Sequence, residues 1–362
     1  MISFIEQPKG WLASDLDKDR TWIYQLSAEQ IEALEHALQH ALKLKKSMLQ
    51  MSPEDFPIAP AVWRTLKTAL DTVQTGVGFR LLRGFPVHKY TEDELRTFYW
   101  GIGLHIGVPR SQGKHSHFMS EVRDAGGVYR GATGRGYNTS ARLDFHADST
   151  DIVGLLVVRT AKAGGSSLLA SSISAHNRML KNRPDLLEVL YQPFTFSRQG
   201  EEAPEEAPHY QAPVFGMEQG RFMCRHIRNH INSAQMAFPE IPRLTEKQIE
   251  ALDELDAILA SPELCFSMEF QPGDMQFINN HIVLHARTEY EDHEESEKKR
   301  LLFRLWMSHA GSQPLPPIFA DGYKDQHAGA VRGGVRGINN TPEIRAFEEG
   351  MAKYHGMRFE IY

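Results

Sequence analysis

His146-Ala147-Asp148 is the stretch of this 362-residue chain with the clearest capacity for chemistry, and His285 and Arg304 lie far downstream of it. Two histidines and one carboxylate are the donor set with which non-haem Fe(II) oxygenases hold one face of their metal. Spacing matters as much as type. Successive residues of a strand point to opposite sides, so positions i and i+2 share a face. An extended run over residues 143–148 therefore lets His146 and Asp148 grip one ion while Ala147 points away. A third donor from a distant strand would close the site and leave coordination positions open. The chain has 17 histidines, so other pairings compete by chance: His115 with His117, His226 with His230, and His281 with His285. The last two pairs have the i, i+4 spacing of one helical turn. Neither carries the glutamate of a His-Glu-x-x-His zinc helix, so metalloprotease chemistry is unsupported. His226 and His230 also sit among Arg225 and Arg228, a cationic patch rather than a metal cage.

Strands have to hold such donors, and helices and loops have to close over them. After the His146 run, residues 152–158 form a near-continuous apolar stretch suited to a strand buried on both faces. Gly164-Gly165 is a turn, and 166–172, 266–270, 275–278 and 301–307 are further short strands; 76–84 is another, bounded by glycines. Helices are expected from Ser27, which with Gln30 forms a capping box ahead of Ile31, Leu34, Leu38 and Ala41. Others are expected over 61–73, from Thr91 to about 106, over 174–180, and over 244–259 with Thr245 as cap. Residues 111–141 carry Gly113, Gly126, Gly127, Gly131, Gly134 and Gly136; so long a polar loop is either a binding loop over a site or a surface excursion. The glutamate- and proline-rich stretch 198–208 reads as a solvated loop. No repeat or low-complexity linker divides the chain, which reads as a single domain over 1–362 with a helical N-terminal part, about 1–75, packed on a strand-rich core.

Composition narrows the setting. Hydrophobic content of 41% and charged content of 24% describe an ordinary globular protein. A formal charge of −6 argues against a nucleic-acid surface, which needs clustered Lys and Arg. No stretch approaches the roughly 18 apolar residues of a membrane span. The first dozen residues lack the basic-then-apolar pattern of a signal peptide. The two cysteines, Cys224 and Cys265, suggest no disulfide framework, and a reducing, cytoplasmic setting is expected. Self-association is left open.

Read in order, the motifs keep company. Leu143-Asp144-Phe145-His146-Ala147-Asp148 is followed by Gly164-Gly165-Ser166-Ser167, then Gln271-Pro272-Gly273-Asp274, Asn279-Asn280, His285-Ala286-Arg287 and Leu302-Phe303-Arg304-Leu305-Trp306. From about residue 76 to 307 the chain resembles the taurine dioxygenase/TfdA family of Fe(II)- and 2-oxoglutarate-dependent oxygenases. The resemblance implies an α+β fold with a double-stranded β-helix (jelly-roll, cupin-like) core flanked by helices. It implies His146, Asp148 and His285 as iron ligands, and Arg304 as the arginine that pairs two-pronged with the far carboxylate of 2-oxoglutarate. Arg300, four residues earlier on the same strand face, is the rival, and Ser167 matches the hydroxyl residue that supports that carboxylate. The activity implied is hydroxylation, or desaturation or ring closure, of a small molecule with O2, as 2-oxoglutarate becomes succinate and CO2. Asp148 disfavours halogenation, which needs a small residue at that position. A small polar substrate bearing a carboxylate or sulfonate is expected, with Arg142, Arg225 and Arg228 as candidate contacts; structural ion pairs are the competing role for those arginines. A jelly-roll protein that binds metal or ligand without turnover, and a metal-dependent hydrolase, are the alternatives. Asn279 departs from the aspartate many members carry there, the stretch from Glu289 to Glu295 is acid-rich, and the segment from Arg332-Gly333-Gly334 onward carries no interpretable motif.

Overall fold

The computed structural model describes residues 2–127, 129–130 and 136–361, so Gly131 and Gly134 of the glycine-rich stretch lie outside the described residues. Two mainly antiparallel sheets form the centre. The larger runs in the order Ile23–Gln25, Phe79–Arg83, Met275–Asn279, Ile152–Arg159, Leu301–Ser308, Val108–Arg110, with Met119–Val122 also paired to Leu301–Ser308. Its one parallel pair is Ile23–Gln25 with Phe79–Arg83. The smaller sheet runs Phe266–Met268, Ser167–Ser171, Val283–Arg287, Leu143–His146. Together they make the jelly-roll core.

The strand expected over 152–158 is buried on both faces, as its apolar run implied, because the larger sheet is covered twice. Met275–Asn279 and Leu301–Ser308 are buried at every position. On the outside of the larger sheet, helices Ala28–Leu44, Pro60–Thr75 and Glu92–Ile106 set Leu34, Leu38, Leu66 and Phe98 against Leu82, Leu156, Phe277 and Phe303. The inner faces meet each other: Val153, Ile278 and Trp306 share a cluster with Leu169 and Val283. Helices Ser172–Asn182, Pro184–Leu190 and Glu246–Leu259 pack on the other side of that cluster.

Helix starts follow the local chemistry. Ser27 Oγ accepts from Gln30 N at 3.2 Å while Gln30 Oε1 accepts from Ser27 N at 2.9 Å, and Thr91 with Glu94 and Thr245 with Gln248 repeat the device. The helix expected over 174–180 begins earlier, at Ser172, because Ser171 is the cap that accepts from Ser174 N. The N-terminal part is less purely helical than its periodicity suggests, since Ile23–Gln25 joins the edge of the larger sheet. Outside the two sheets lie two hairpins, Phe194–Ser197 with His209–Ala212 and Phe215–Glu218 with Arg221–Cys224, and the C-terminal helix Pro342–His355, among other short elements. Among the described residues no helix is long and apolar enough to cross a membrane.

Candidate metal centre

The smaller sheet brings the two histidines together. Leu143–His146 is its edge strand, and His285 on the neighbouring strand is the direct cross-strand partner of His146, with ring centroids 4.3 Å apart. The extended run ends at His146 rather than continuing to Asp148. Ala147 N turns aside to donate to His226 O at 2.8 Å, and Asp148 is held by different means. Its backbone N–H donates to Asn280 Oδ1 at 3.1 Å, and its Oδ2 accepts from the Trp306 indole N–H at 2.7 Å. The three side chains still converge: His146 Nε2 lies 3.9 Å from Asp148 Oδ1, and His285 Nε2 lies 3.8 Å from Asp148 Oδ2. The donor atoms of all three lie within 4.8 Å of one another.

The donors are in the protonation states a metal needs. His146 Nδ1 meets Asp144 O at 2.8 Å, so that nitrogen carries the proton and Nε2 keeps its lone pair. Burial pushes the His146 imidazole below its ordinary pKa, and burial together with neighbouring His146 pushes His285 down to about 3. Burial alone would favour the neutral acid at Asp148. The Arg304 guanidinium, the two imidazoles and the Trp306 N–H outweigh it and hold that carboxyl well below the usual range. The cluster is a neutral, neutral, anionic donor set, and it suits a divalent transition-metal ion.

A cavity of about 920 Å³, counting its open mouth, runs from this cluster between the sheets. Arg300, Leu302 and Arg304 all line it, as alternation along Leu301–Ser308 requires. The two arginines occupy different ends. Arg304 Nη1 is 3.5 Å from Asp148 Oδ2, and its Nε donates to Gln112 Oε1 at 2.8 Å while Gln112 Nε2 donates back to Arg304 O at 2.9 Å. Arg304 is therefore pinned at the cluster itself. Arg300 is four residues, about 13 Å of extended strand, away. Its guanidinium lies beside Tyr290, and a side chain at Gly165 (φ +75°) would sit 3.2 Å from its Nε, so the glycine leaves the room the arginine takes. Ser167 is on this side too, its Oγ 3.4 Å from Gln276 Oε1. Burial holds Arg300 below its ordinary pKa, and burial with the nearby Arg300 charge takes Arg287 down to about 10. Among the described lining residues, Asp148 is the one carboxylate facing Arg287, Arg300 and Arg304.

The other cations singled out in the sequence sit elsewhere. Arg142 is exposed and does not line the cavity. Arg225 is buried behind the cluster, donating to Ala147 O, Ser149 Oγ and Tyr210 Oη. Arg228 is ion-paired with Asp253 and Asp256 at 2.8 and 3.0 Å, and His226 meets Asp256 at 2.7 Å. His281 is bonded to Asp151 at 2.8 Å, away from the donors, and His115 and His117 are exposed. Several residues were not anticipated: Gln112, Trp306, Asn280 and Gln276, with Tyr129, Tyr137, Gln199, Asn229 and His230 along the cavity wall. Trp306 could have been found, because it shares a strand face with Arg304; Gln112 and the wall residues carry no spacing signal.

Comparison with known proteins agrees with this geometry. Residues 43–306 match the family described as taurine catabolism dioxygenase TauD, TfdA family. The chain is 30% identical over 332 residues to FR-33289 synthase of Streptomyces rubellomurinus, covering 87% of this chain and 95% of that protein. It is 28% identical over 311 residues to the taurine hydroxylase-like protein SAT17 of Stachybotrys chartarum, covering 82% and 77%. Among solved structures it resembles asparagine oxygenase in complex with Fe(II), 2S,3S-3-hydroxyasparagine and succinate, with TM-score 0.61, 19% identity and coverage of 79% and 93%. The non-heme iron oxygenase OrfP in complex with Fe and alpha-ketoglutaric acid gives TM-score 0.59, 14% identity and the same coverage, 79% and 93%.

Proposed function

This chain belongs to the taurine catabolism dioxygenase TauD, TfdA family, and from that premise we propose that it is an Fe(II)- and 2-oxoglutarate-dependent dioxygenase that hydroxylates a small, polar, anionic metabolite. The observation that carries the proposal is the buried His146–Asp148–His285 donor set opening into an arginine-lined cavity. His146, Asp148 and His285 would hold the iron. The bound metal with 2-oxoglutarate and O2 supplies the oxidising power: the oxo acid loses CO2 and becomes succinate while one oxygen atom enters the substrate.

The protein's own part is positioning, charge and exclusion of water. Trp306 fixes one carboxylate oxygen of Asp148, and the Asp144 carbonyl fixes the His146 tautomer. For the far carboxylate of 2-oxoglutarate we assign Arg300, supported by Ser167, in place of Arg304. An oxo acid held through its keto end carries the other carboxylate away from the metal, and Arg304 contacts a metal ligand directly. Arg304 then offers its charge beside the metal, where an anionic group of the primary substrate would come. Three guanidiniums facing one carboxylate support an anionic substrate in addition to the dianionic co-substrate. Tyr129, Tyr137, Gln199, Asn229 and His230 are the wall residues that would select it, in place of Arg142, Arg225 and Arg228. A jelly-roll protein that merely binds metal has no use for such a cavity.

The test is turnover with a pool of small anionic metabolites, Fe(II), 2-oxoglutarate and O2. Succinate should form together with a product that has gained one oxygen atom. Arg300→Gln should raise the KM for 2-oxoglutarate by ten- to a hundredfold, the loss of a charge-assisted bidentate contact, and Arg304→Gln should chiefly affect the primary substrate. Equal effects of both variants on 2-oxoglutarate would remove the assignment.

A further inference from the structure

The far end of the cavity also holds Arg287, a cation to which no ligand contact has been assigned. Arg287 is 5% exposed and lines the cavity two residues beyond His285, on the same face of Val283–Arg287. Its direct cross-strand partner on the neighbouring strand is Ser167. Arg287 and Arg300 both approach one aromatic ring, their guanidinium carbons 4.8 and 5.0 Å from the Tyr290 centroid. Nη2 of Arg287 is occupied, donating to Thr139 O at 2.6 Å and to Ala141 O. Its Nε and Nη1 are buried with no partner among the described residues. No ion pair to a carboxylate is formed by Arg287 or Arg300 among the described residues.

Two buried guanidiniums over one ring with no ion pair are costly, since like charges repel and Arg287 keeps donors unmet. One carboxylate relieves both. It has two oxygens and about four lone-pair sites, more than one arginine fork uses. We propose that Arg287 joins Arg300 and Ser167 in a two-guanidinium seat for the far carboxylate of 2-oxoglutarate, which makes the site selective for a dicarboxylic oxo acid. The inference rests on the co-substrate assignment above. It adds a binding residue that the spacing of His285 and Arg304 did not suggest, since Arg287 stood in the sequence only as the last member of the His285-Ala286-Arg287 motif.

Calorimetric titration of the Mn(II)-loaded protein without oxygen tests it, with 2-oxoglutarate as one probe and 2-oxobutyrate as the other. The second has the same oxo-acid head and lacks the far carboxylate. Arg287→Gln should weaken 2-oxoglutarate by about ten- to a hundredfold, leave 2-oxobutyrate within about twofold, and leave Mn(II) affinity unchanged. Arg287→Lys, which keeps the charge without the fork, should fall between. Unchanged 2-oxoglutarate affinity in both variants, or equal losses for the two oxo acids, would overturn the two-guanidinium seat and leave Arg287 a structural tie to the Thr139–Ala141 carbonyls. If the unaltered protein itself fails to bind 2-oxoglutarate, the co-substrate assignment falls first and this inference with it.

Discussion

At the scale of single residues, the metal site depends on a few hydrogen bonds that decide which lone pairs are free. The Trp306 indole spends its N–H on Asp148 Oδ2 and so orients the carboxylate between the two imidazoles. Trp306→Phe preserves the packing and removes that bond, so metal affinity should drop ten- to a hundredfold, as for other residues that orient a ligand. Competition with a chromophoric chelator for Mn(II) measures it, and an unchanged affinity would mean that the indole merely fills space. His146 and Asp148 stood out in the sequence by their spacing and His285 by the family resemblance, although the strand which that spacing implied stops at His146. The different surroundings of Arg300 and Arg304 were not legible, since both lie on one strand face and differ only in what stands opposite. Arg225 and Arg228 show the same limit. A sequence displays a charge but not its partner, and these two have found theirs in Ala147, Ser149 and Tyr210, and in Asp253 and Asp256.

At the scale of elements, the segment after Leu301–Ser308 that carried no motif turns out to brace the site. Arg332 is fully buried, and its Nε donates to Asp151 Oδ1 at 2.8 Å, the same oxygen that meets His281 Nε2 at 2.8 Å. Asp151 O accepts from Asn280 N at 3.0 Å, and Asn280 in turn holds the backbone of Asp148. Burial raises the Asp151 pKa, and Arg332 and His281 more than reverse that, taking it from the ordinary 3.8 to about 2. A carboxylate depressed in the folded state stabilises fully above its unfolded pKa and loses that contribution as pH falls through the folded value. The network should therefore contribute roughly 2 kcal/mol above about pH 4 and lose it towards pH 2. Arg332→Met leaves Asp151 buried and underpaired. It should cost about 3–5 kcal/mol and move the acid-unfolding midpoint upward, read by circular dichroism against pH. An acid midpoint equal to that of the unaltered protein would show the pairing to be idle. One step along, Gly333 (φ +68°) passes so close that a side chain there would lie 2.5 Å from Ser149 O, next to Asp148. Gly333→Ala should lower both the melting temperature and the metal affinity, because relief of the clash moves the turn that carries the ligand; a loss of stability with metal binding intact would uncouple the two.

At the scale of the molecule, the layered design was legible and the closure was not. The apolar run 152–158 foretold a strand covered on both faces, 301–307 foretold a strand, and the caps at Ser27, Thr91 and Thr245 marked helix starts within a residue. The two short hairpins and the return of the C-terminus were hidden, because their burial depends on distant surfaces. The last helix, Pro342–His355, stacks Phe347 on Trp100 with centroids 5.5 Å apart and pairs Glu348 with Arg110 at 2.7 Å. The result is a protein of formal charge −6 with a cationic cavity at its centre, an arrangement that favours anions inside and discourages them elsewhere. The most direct test of that site as an iron and 2-oxoglutarate centre is an optical titration without oxygen. Fe(II) and 2-oxoglutarate added to the purified protein should develop a weak visible charge-transfer band that saturates at one equivalent per chain and is absent in folded His146→Ala. A folded, unaltered protein that gives no band at saturating Fe(II) and 2-oxoglutarate would contradict it.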